Sequence, residues 1–259
     1  MKTKLTFLGT GTSQGVPMIA CDCEVCKSKD TKDKRLRTSA HIEYEGLKIL
    51  VDAGPDFRYQ MLRENIRHID FILLTHNHKD HTGGLDDVRA FNYLEKKATE
   101  IYCEDYVKDS LKREYSYAFS ENKYPGAPEW RVHKIENTPF YLPTNTGEKL
   151  EIIPIRGIHY KLPVLGFRFG NIAYCTDMNY IAEEEFEKLK NLDHFIISCV
   201  HKGHHISHFS LEEAIEICKK VGAKKSWLTH LSHMLPCHEE LIKELPENIS
   251  PAYDGLSIE

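Results

Sequence analysis

The sequence lacks a long apolar run. Residues 5–8 are mostly apolar, but Gly9 and the polar segment Thr10–Ser13 end this stretch after too few residues for a secretion signal. No later stretch approaches the roughly 20 apolar residues that a membrane-spanning helix needs. We therefore expect no membrane association and a cytoplasmic location.

The sequence also has little excess charge, no internal repeat and no low-complexity linker. Its 34 basic and 39 acidic residues give a formal net charge of -5, which provides no general attraction to a phosphate backbone. A large RNA-binding face is disfavoured for this reason. The 259 residues can form one sizeable core, so a single domain over residues 1–259 is expected.

Cysteine is present eight times, but its spacing does not suggest a disulfide framework. Cys21, Cys23 and Cys26 lie within six residues of each other, and a chain without a secretion signal more often uses such thiols as metal ligands. A tetrahedral zinc site would need a fourth ligand from elsewhere in the chain. The loop at residues 21–26 is therefore predicted to be a small structural zinc site.

The segment Thr75–His81 carries four metal-type side chains. It follows the apolar residues Phe71–Leu74, which are typical of a buried strand. Its ligands are His76, His78, Asp80 and His81. We expect an irregular turn, because a regular helix or strand would point neighbouring side chains in different directions. The spread of the four ligands suits two metal ions.

Other ligand-type residues occur where apolar strands end. They are Asp52, His159, Asp177 and His230. Each one alone could be a polar residue with an ordinary hydrogen-bond partner, and Asp52 could be either a helix cap or an acceptor for a metal-bound histidine. The alternation of strands and helices predicts sheets covered by helices, with one site at a shared edge.

Two further patterns are local. The glycine-rich loop Gly9–Pro17 has exposed amides that could hold a phosphate, which makes Thr12 and Ser13 candidate substrate contacts, although most such loops are only turns. Ser210 and Glu213 have the spacing of a capping box, which predicts a helix over Leu211–Val221. Helical spacing also predicts helices over Phe57–Ile66 and Thr82–Lys97.

The sequence resembles the metallo-β-lactamase fold metallohydrolases. The resemblance rests on the His-x-His-x-Asp-His motif and on His159, Asp177 and His230. The loop Gly9–Pro17 and the three-cysteine group narrow the resemblance to the PhnP family of phosphoribosyl cyclic phosphodiesterases. This resemblance implies a four-layer αββα sandwich of α/β class with two divalent ions, zinc or manganese, in its active site. It also implies a homodimer.

The resemblance further implies roles for individual residues. One ion would be held by His76, His78 and His159. The other would be held by Asp80, His81 and His230. Asp177 would bridge the two ions, and His233 would be the fourth ligand of the zinc at Cys21, Cys23 and Cys26. His208 would lie near the leaving group or phosphate. The short Leu-Ser step between His230 and His233 would let a turn direct one imidazole to each site.

These residues could hydrolyse a small, cyclic phosphodiester. Water shared by two ions is a nucleophile at neutral pH, and a protonated His208 could supply the leaving oxygen with a proton. His208 and Asp80 are the predicted catalytic residues. Asp52 and His205 are predicted to orient ligands or contact substrate.

Three alternatives remain open. One is a tRNase Z-like ribonuclease, although the chain has no glycine- and proline-rich insertion resembling that family's tRNA-gripping arm. Another is a hydrolase of lactamase or thioesterase type, and the third treats the metals as structural. Nothing specific distinguishes His201, His204 and His238, which are predicted to lie on the surface.

Overall fold

A computed structural model describes residues 3–144 and 146–259. Met1 and Lys2, which precede the short apolar stretch at residues 5–8, lie outside these residues. Within the described ranges, none of the helices has the length and apolar character needed to cross a membrane.

Two mixed β-sheets form the centre of the molecule, and their strands are numbered along the chain. The first sheet contains β1 (Thr3–Gly9), β2 (Ser39–Tyr44), β3 (Leu47–Val51), β4 (Phe71–Leu73), β5 (Thr99–Cys103), β6 (Trp130–Lys134) and β15 (Ser257–Ile258). Their order is β15-β1-β2-β3-β4-β5-β6. The pairs from β15 to β3 are antiparallel and those from β3 to β6 are parallel.

The second sheet has the same division into an antiparallel and a parallel half. It contains β7 (Phe140–Pro143), β8 (Lys149–His159), β9 (Leu162–Phe169), β10 (Ile172–Cys175), β11 (Tyr180–Ile181), β12 (His194–Ser198), β13 (Lys225–Thr229) and β14 (Ile249–Pro251). The order is β11-β8-β9-β10-β12-β13-β14, with β7 paired to β8. The pairs from β10 to β14 are parallel.

The helices are short. They are α1 (Glu24–Lys27), α2 (Phe57–Arg63), α3 (Lys79–Thr82), α4 (Arg89–Glu95), α5 (Asp105–Glu114), α6 (Ser116–Phe119), α7 (Leu211–Val221) and α8 (His238–Glu244). Short 3-10 segments cover Thr31–Asp33, Leu85–Val88 and Glu183–Leu189.

Three buried clusters hold these layers together. The largest lies between the two sheets and includes Phe7 of β1 with Phe167 of β9. A second joins the outer face of the second sheet to α7 and α8, and a third joins the first sheet to α2 and α5. The prediction of sheets sandwiched between helices is therefore confirmed.

Parallel strands with crossover connections bring their carboxyl ends to one edge of a sheet. In the first sheet β3 and β4 end there, followed by Asp52 and by the segment Thr75–His81. In the second sheet β10 and β13 end at the corresponding edge, followed by Asp177 and His230. The candidate site occupies this shared edge.

Several local predictions match the structure. Apolar residues in the sequence predict a hairpin strand over Ser39–Tyr44 and a strand over Ile172–Cys175, and both strands have these bounds. The helix Leu211–Val221 also has the expected bounds. Ser210 accepts from the Glu213 N–H and the Glu213 side chain accepts from the Ser210 N–H, so the capping box is present.

Other predictions were wrong in detail. The helix expected over Thr82–Lys97 is broken into the 3-10 turn Leu85–Val88 and α4. The Gly84 N–H donates to the Ala53 carbonyl at 2.8 Å instead of to the preceding turn, which breaks the helix. Glycine is required there, because a Cβ would be 2.1 Å from the Gly54 carbonyl oxygen. The turn expected over Thr75–His81 is only partly irregular, since α3 begins at Lys79.

One histidine lies where the sequence did not place it. His238, predicted at the surface, is 2% exposed and begins α8. Its N–H donates to Asp33 at 2.7 Å, and its Nδ1 lies 3.5 Å from Arg35 Nη2. Burial and the adjacent Arg35 lower the pKa of His238 to about 4. His204 is exposed as expected, and His201 is half-buried.

Candidate metal centre

The first group of candidate ligands consists of three histidines from two elements. The ligand atoms of His76, His78 and His159 all lie within 4.8 Å of one another. His76 and His78 follow β4, and His159 ends β8. His76 and His159 are buried, whereas His78 is exposed. Three converging imidazoles with one open side are a donor set suited to a divalent transition metal.

The second group contains two carboxylates and two histidines. The ligand atoms of Asp80, His81, Asp177 and His230 also lie within 4.8 Å of one another. His81 Nε2 is 3.3 Å from both Asp80 Oδ2 and Asp177 Oδ1. Asp80 and His81 both lie in the single turn of α3. We expected a helix to point these adjacent side chains in different directions, but their ligand atoms lie close together.

Asp177 connects the two groups. Besides its place in the second group, it lies within 4.8 Å of ligand atoms of His159 and His208. The rings of His76 and His81, one from each group, are 4.2 Å apart. Asp177 therefore lies where a carboxylate could contact two neighbouring ions.

Hydrogen bonds orient two of the histidines so that a lone pair remains free. Thr75 Oγ1 donates to Asp52 Oδ2, so it accepts from His76 Nδ1 at 2.9 Å. His81 Nδ1 donates to Asp52 Oδ2 at 2.6 Å. His76 Nε2 is buried and has no hydrogen-bond partner within residues 3–144 and 146–259. A buried unpaired nitrogen is costly, and a cation would satisfy it. His81 Nε2 is also buried and lies 3.3 Å from each of the two carboxylates of its own group.

In His159, too, a hydrogen bond at Nδ1 leaves Nε2 free, whereas Nδ1 of His230 also lies close to a candidate ligand. His159 Nδ1 donates to the Ser207 carbonyl at 2.7 Å, which leaves Nε2 for a ligand. His230 Nδ1 is 3.2 Å from both Thr38 Oγ1 and Asp177 Oδ1. Thr38 Oγ1 also donates to the Gly11 carbonyl, so this hydroxyl can only accept from His230.

Three residues at the same edge have left-handed backbone. Asp52, Asp177 and His230 have φ values of 62°, 53° and 56°. Left-handed backbone is uncommon outside glycine, although Asp and His tolerate it better than most residues, and it persists where the surrounding structure requires it. All three directly or closely follow a strand, so the left-handed turn directs each side chain into the candidate site.

Electrostatics keep most of the donor set in the form that binds metal. Burial and the His81 charge lower the pKa of His76 well below its usual value, and the pKa values of His78 and His230 are also lowered, mainly by burial. Burial opposes ionisation of Asp177, yet His230 and His81 hold its pKa well below the usual range. Neutral imidazoles and ionised carboxylates are the ligating forms.

His81 differs in this respect. Burial works to lower its pKa, but the carboxylates of Asp177, Asp80 and Asp52 raise it well above the usual value. A proton on His81 Nε2 and a metal ion bound there would interact with the same carboxylates. The proton and the metal ion therefore exclude each other.

A separate group of sulfur ligands lies close by. The ligand atoms of Cys21, Cys23, Cys26 and His233 are within 4.8 Å of one another. His233 Nδ1 is 3.3 Å from Cys21 Sγ and 3.5 Å from Cys23 Sγ. The backbone N–H of Cys26, followed by His233, lowers the pKa of Cys23 to about 6, whereas burial raises that of Cys26 to about 11. These four residues suit a tetrahedral zinc ion.

Comparisons with known proteins identify the family. The model of the beta-lactamase superfamily domain matches residues 48–231. The crystal structure of a new diphosphatase from the PhnP family superposes with a TM-score of 0.91 at 38% identity, covering 100% of this chain and 98% of that one. The chain belongs to the beta-lactamase superfamily and, within it, to the PhnP family.

Two curated proteins are also similar to this PhnP-family chain. An octanoyltransferase from Porphyromonas gingivalis is 42% identical over 253 residues, covering 96% of this chain and 50% of the relative, so the chain spans only half of that protein. A ribonuclease Z from Pyrobaculum islandicum is 23% identical over 283 residues, covering 96% of this chain and 93% of the relative.

The fold is therefore the metallo-β-lactamase fold, with two mixed sheets flanked by helices. This family assigns the chain to the metal-dependent hydrolases. Divalent metal binding belongs to the family, and the His and Asp groups are the candidate ligands.

The remaining predicted residues lie around the metal groups. His208 is 9% exposed, and its ring centroid is 4.5 Å from that of His159 and 4.8 Å from that of His230. Burial and the neighbouring His230 lower the pKa of His208 to about 3. The expected protonated His208 is therefore disfavoured before substrate binds, because the charge would be buried beside other histidines.

His205 lies one ring farther out, with its centroid 5.2 Å from that of His208. Its Nδ1 accepts from the Ser207 N–H at 3.2 Å. Thr12 and Ser13 lie in the loop that pairs through Gly11 with Leu231, the residue after His230. Thr12 is buried and Ser13 is exposed, and their contact with substrate stays a prediction.

Sequence reasoning missed the residues that orient the ligands. Thr75, Thr38 and the Ser207 carbonyl each contact a candidate ligand histidine. Thr75 could have been found, since it stands between the strand and the ligand cluster. Thr38 is far from His230 in the chain, and a carbonyl carries no sequence signal.

Proposed function

We propose that this chain is a dinuclear phosphodiesterase that hydrolyses a small, cyclic phosphodiester. The substrate would be of the phosphoribosyl 1,2-cyclic phosphate or 2′,3′-cyclic nucleotide type. The observation that carries this proposal is the pair of adjoining ligand groups, which come within reach of each other at Asp177. Membership of the PhnP family supports the choice of phosphorus chemistry.

The proposed ligands follow the two groups. His76, His78 and His159 would hold one ion, zinc or manganese, and Asp80, His81 and His230 the other. Asp177 would contact both. The unpaired Nε2 atom of His76 supports the first assignment, and the two carboxylates that converge on His81 Nε2 support the second. Cys21, Cys23, Cys26 and His233 would hold a separate structural zinc.

Two divalent ions in such a site lower the pKa of water and offset negative charge on phosphate oxygens. The protein itself must orient the diester and deliver a proton to the leaving oxygen. His208 is close to both ligand groups, and its low pKa reflects burial and neighbouring histidines. A bound phosphodiester carries negative charge, which raises the pKa of a nearby imidazole. We propose that His208 gains its proton in the presence of substrate and passes it to the leaving oxygen.

Hydrolysis of bis(p-nitrophenyl) phosphate and 2′,3′-cyclic AMP tests the activity. Purified protein loaded with zinc or manganese should turn over both compounds, and chelator treatment should abolish turnover until metal is restored. The Asp177→Asn variant should lose both metal and activity. If fully loaded protein hydrolyses neither diester, the proposed function is wrong.

The role of His208 is tested separately. His208→Ala should lower turnover by about 100-fold, within the range typical for general acids, while metal content stays unchanged. His204→Ala is the matched control, because His204 lies in the same loop but its side chain is 81% exposed. Loss of metal from His208→Ala would instead assign His208 to ligation.

The main alternative is cleavage of precursor tRNA, suggested by the ribonuclease Z relative. The net charge of -5 gives little help with binding RNA. A precursor-tRNA cleavage assay, run beside the diester assay, distinguishes the two activities. Turnover of nitrocefin or a thioester in place of diesters would favour the lactamase or thioesterase type.

The proposal includes a homodimer in the cytoplasm that acts on a small molecule. Sedimentation equilibrium would measure the mass of the assembly, and cell fractionation would locate the protein. A monomer at working concentration would contradict the first point, and recovery in the membrane or exported fraction would contradict the second.

A further inference from the structure

Gly54 lies directly against the turn that carries two candidate ligands. An ideal Cβ at Gly54 would be 2.0 Å from the Asp80 carbonyl oxygen and 3.0 Å from the Asp80 carbonyl carbon. A Cβ essentially never approaches another heavy atom closer than 3.0 Å. Only glycine therefore fits at this close approach of two backbones.

The contact belongs to a set that fixes α3 on the residues after β3. The Ala53 N–H donates to the His81 carbonyl at 2.8 Å, and the Gly84 N–H donates to the Ala53 carbonyl at 2.8 Å. Asp52 accepts from His81 Nδ1 at 2.6 Å. Residues 52–54 therefore contact the backbone of α3 and one of its ligand side chains.

A larger side chain at Gly54 would displace α3 and not the segment that follows β3. Asp52 is tied to β4, since its N–H donates to the Leu73 carbonyl at 3.0 Å and its carboxylate accepts from the Thr75 N–H at 2.9 Å. By contrast, α3 is a single turn of four residues, and so short a helix has little stability of its own. Opening the contact from 2.0 Å to 3.0 Å would move α3 by about 1 Å, several times the roughly 0.2 Å within which metal–ligand distances hold.

The first ligand group has support from a different element. Asn77 stands between two of its ligands, His76 and His78. Asn77 Nδ2 donates to Ser110 Oγ on α5 at 2.8 Å. Ser110 is buried, and its hydroxyl donates in turn to the Tyr106 carbonyl at 3.1 Å. A displacement of α3 therefore moves two ligands of the second group directly, whereas α5 holds the first group in place.

We propose that Gly54 is a positioning residue for the second ion of the candidate metal centre, the ion assigned to Asp80, His81 and His230. This inference rests on the two-ion part of the proposed function. The absence of a side chain at Gly54 keeps the Asp80 backbone where the carboxylate and the neighbouring imidazole converge. A larger residue there selectively weakens the second ion, while the first ion and the structural zinc stay bound.

Gly54→Ala tests the proposal through metal binding. Competition with a chelating dye should show that one ion binds about 100-fold more weakly than in the wild type, the upper end of the effect of removing a residue that supports metal ligands. After dialysis, elemental analysis should find one zinc ion fewer per chain. A zinc-edge anomalous map should retain the peaks at the first ligand group and at the cysteines and lack the peak beside Asp80.

Gly46→Ala is the matched control. Gly46 lies in the turn between β2 and β3 with a φ of 88°, so alanine is strained there, but nothing lies within 4 Å of its Cβ position. This variant should lose stability and keep the wild-type zinc content. If Gly54→Ala keeps every ion, or loses both ions of the histidine and aspartate groups together, the proposal is wrong.

A gentler variant keeps the proposal testable if Gly54→Ala does not fold. Tyr115 donates from its hydroxyl to the carbonyl of Thr82, the last residue of α3, at 2.8 Å. Tyr115→Phe releases α3 without a clash. It should weaken binding of the second ion about fivefold, the order expected for one hydrogen bond, and leave the first ion unchanged. Wild-type affinity for both ions in Tyr115→Phe would show that the position of α3 does not control the second ion.

Failure of the proposed function can be recognised separately, because metal content does not depend on the substrate. If wild-type protein binds both ions but hydrolyses no diester, the proposed function fails, and the metal content of Gly54→Ala still tests the role of Gly54. If the wild type binds fewer than two ions at the histidine and aspartate groups, both the dinuclear function and the role of Gly54 are wrong.

Discussion

Asp52 Oδ2 lies 2.6 Å from His81 Nδ1, and both side chains are fully buried. The same carboxylate accepts from the N–H and the hydroxyl of Thr75, at 2.9 and 2.8 Å. Thr75 in turn accepts from His76 Nδ1. One carboxylate at the end of β3 therefore orients a histidine in each of the two ligand groups, one directly and one through a hydroxyl.

Replacing Asp52 should weaken metal binding without removing a ligand. Asp52→Asn keeps the shape, but its NH2 group must face one of the donors that the carboxylate now accepts from. We expect a 10- to 100-fold loss of metal affinity, the usual effect of removing such a partner. Competition with a chelating dye measures the affinity of the protein for zinc.

Asp105→Asn is a suitable control for this experiment, since Asp105 lies in the first turn of α5 with its side chain 59% exposed. Its metal affinity should equal that of the wild type. Unchanged affinity in Asp52→Asn, with a native circular dichroism spectrum, would show that Asp52 does not orient the ligands.

The thiol group should hold zinc independently of the histidine and aspartate groups. His233→Ala should reduce zinc content by one ion per chain. Loss of about 2 kcal/mol of stability, a modest value for a structural zinc, would lower the melting temperature by about 4–8 °C in a chain of this size. Elemental analysis and calorimetry measure the two effects. A His233→Ala variant with full zinc content would exclude His233 as a ligand.

Local patterns predicted the parts of the fold that depend on nearby residues. The capping box of α7 joins residues three positions apart, so its geometry follows from the sequence alone. The bounds of the strand Ile172–Cys175 also follow from the local sequence, because its apolar run ends abruptly at Thr176 and Asp177. Residue types at strand ends predicted the ligand candidates for the same reason.

Contacts between distant segments could not be predicted in this way. The burial of His238 depends on Arg35 and Asp33, which are about 200 positions away in the chain. The break at Gly84 depends on the hydrogen bond from its N–H to the Ala53 carbonyl, about 30 positions earlier in the chain. The sequence resemblance implied His233 beside the thiols, but residue spacing alone showed only that a fourth ligand was needed.

The capping box itself makes a prediction about stability. Ser210→Ala removes the acceptor for the Glu213 N–H and should lower the free energy of unfolding by about 1 kcal/mol. Ser210→Asp supplies another acceptor and should retain most of the stability. Urea denaturation measures both values. Equal destabilisation by the two variants would mean that the serine contributes through packing and not as a cap.

Histidine burial in the first sheet predicts a loss of stability in acid. His41 in β2 is 6% exposed, and its Nε2 has no partner in the part of the chain that the structure describes. Burial lowers the pKa of His41 from 6.5 to about 4, with Glu43 opposing and Lys48 and Lys4 assisting. Protonation therefore favours the unfolded chain, in which the pKa is ordinary. The stability that neutral His41 confers is complete above pH 6.5 and is lost as the pH falls toward 4.

His41→Gln isolates this contribution, because glutamine is polar but does not titrate. Between pH 7.5 and pH 5, the wild type should lose about 2 kcal/mol more unfolding free energy than the variant. Urea denaturation of the two proteins at each pH, in the same buffer series, measures the difference. Carboxylate titration and metal release affect both proteins alike and cancel in the comparison. Parallel losses in the two proteins would mean that His41 reaches water or finds a partner when it is protonated, so that its burial carries no cost in acid.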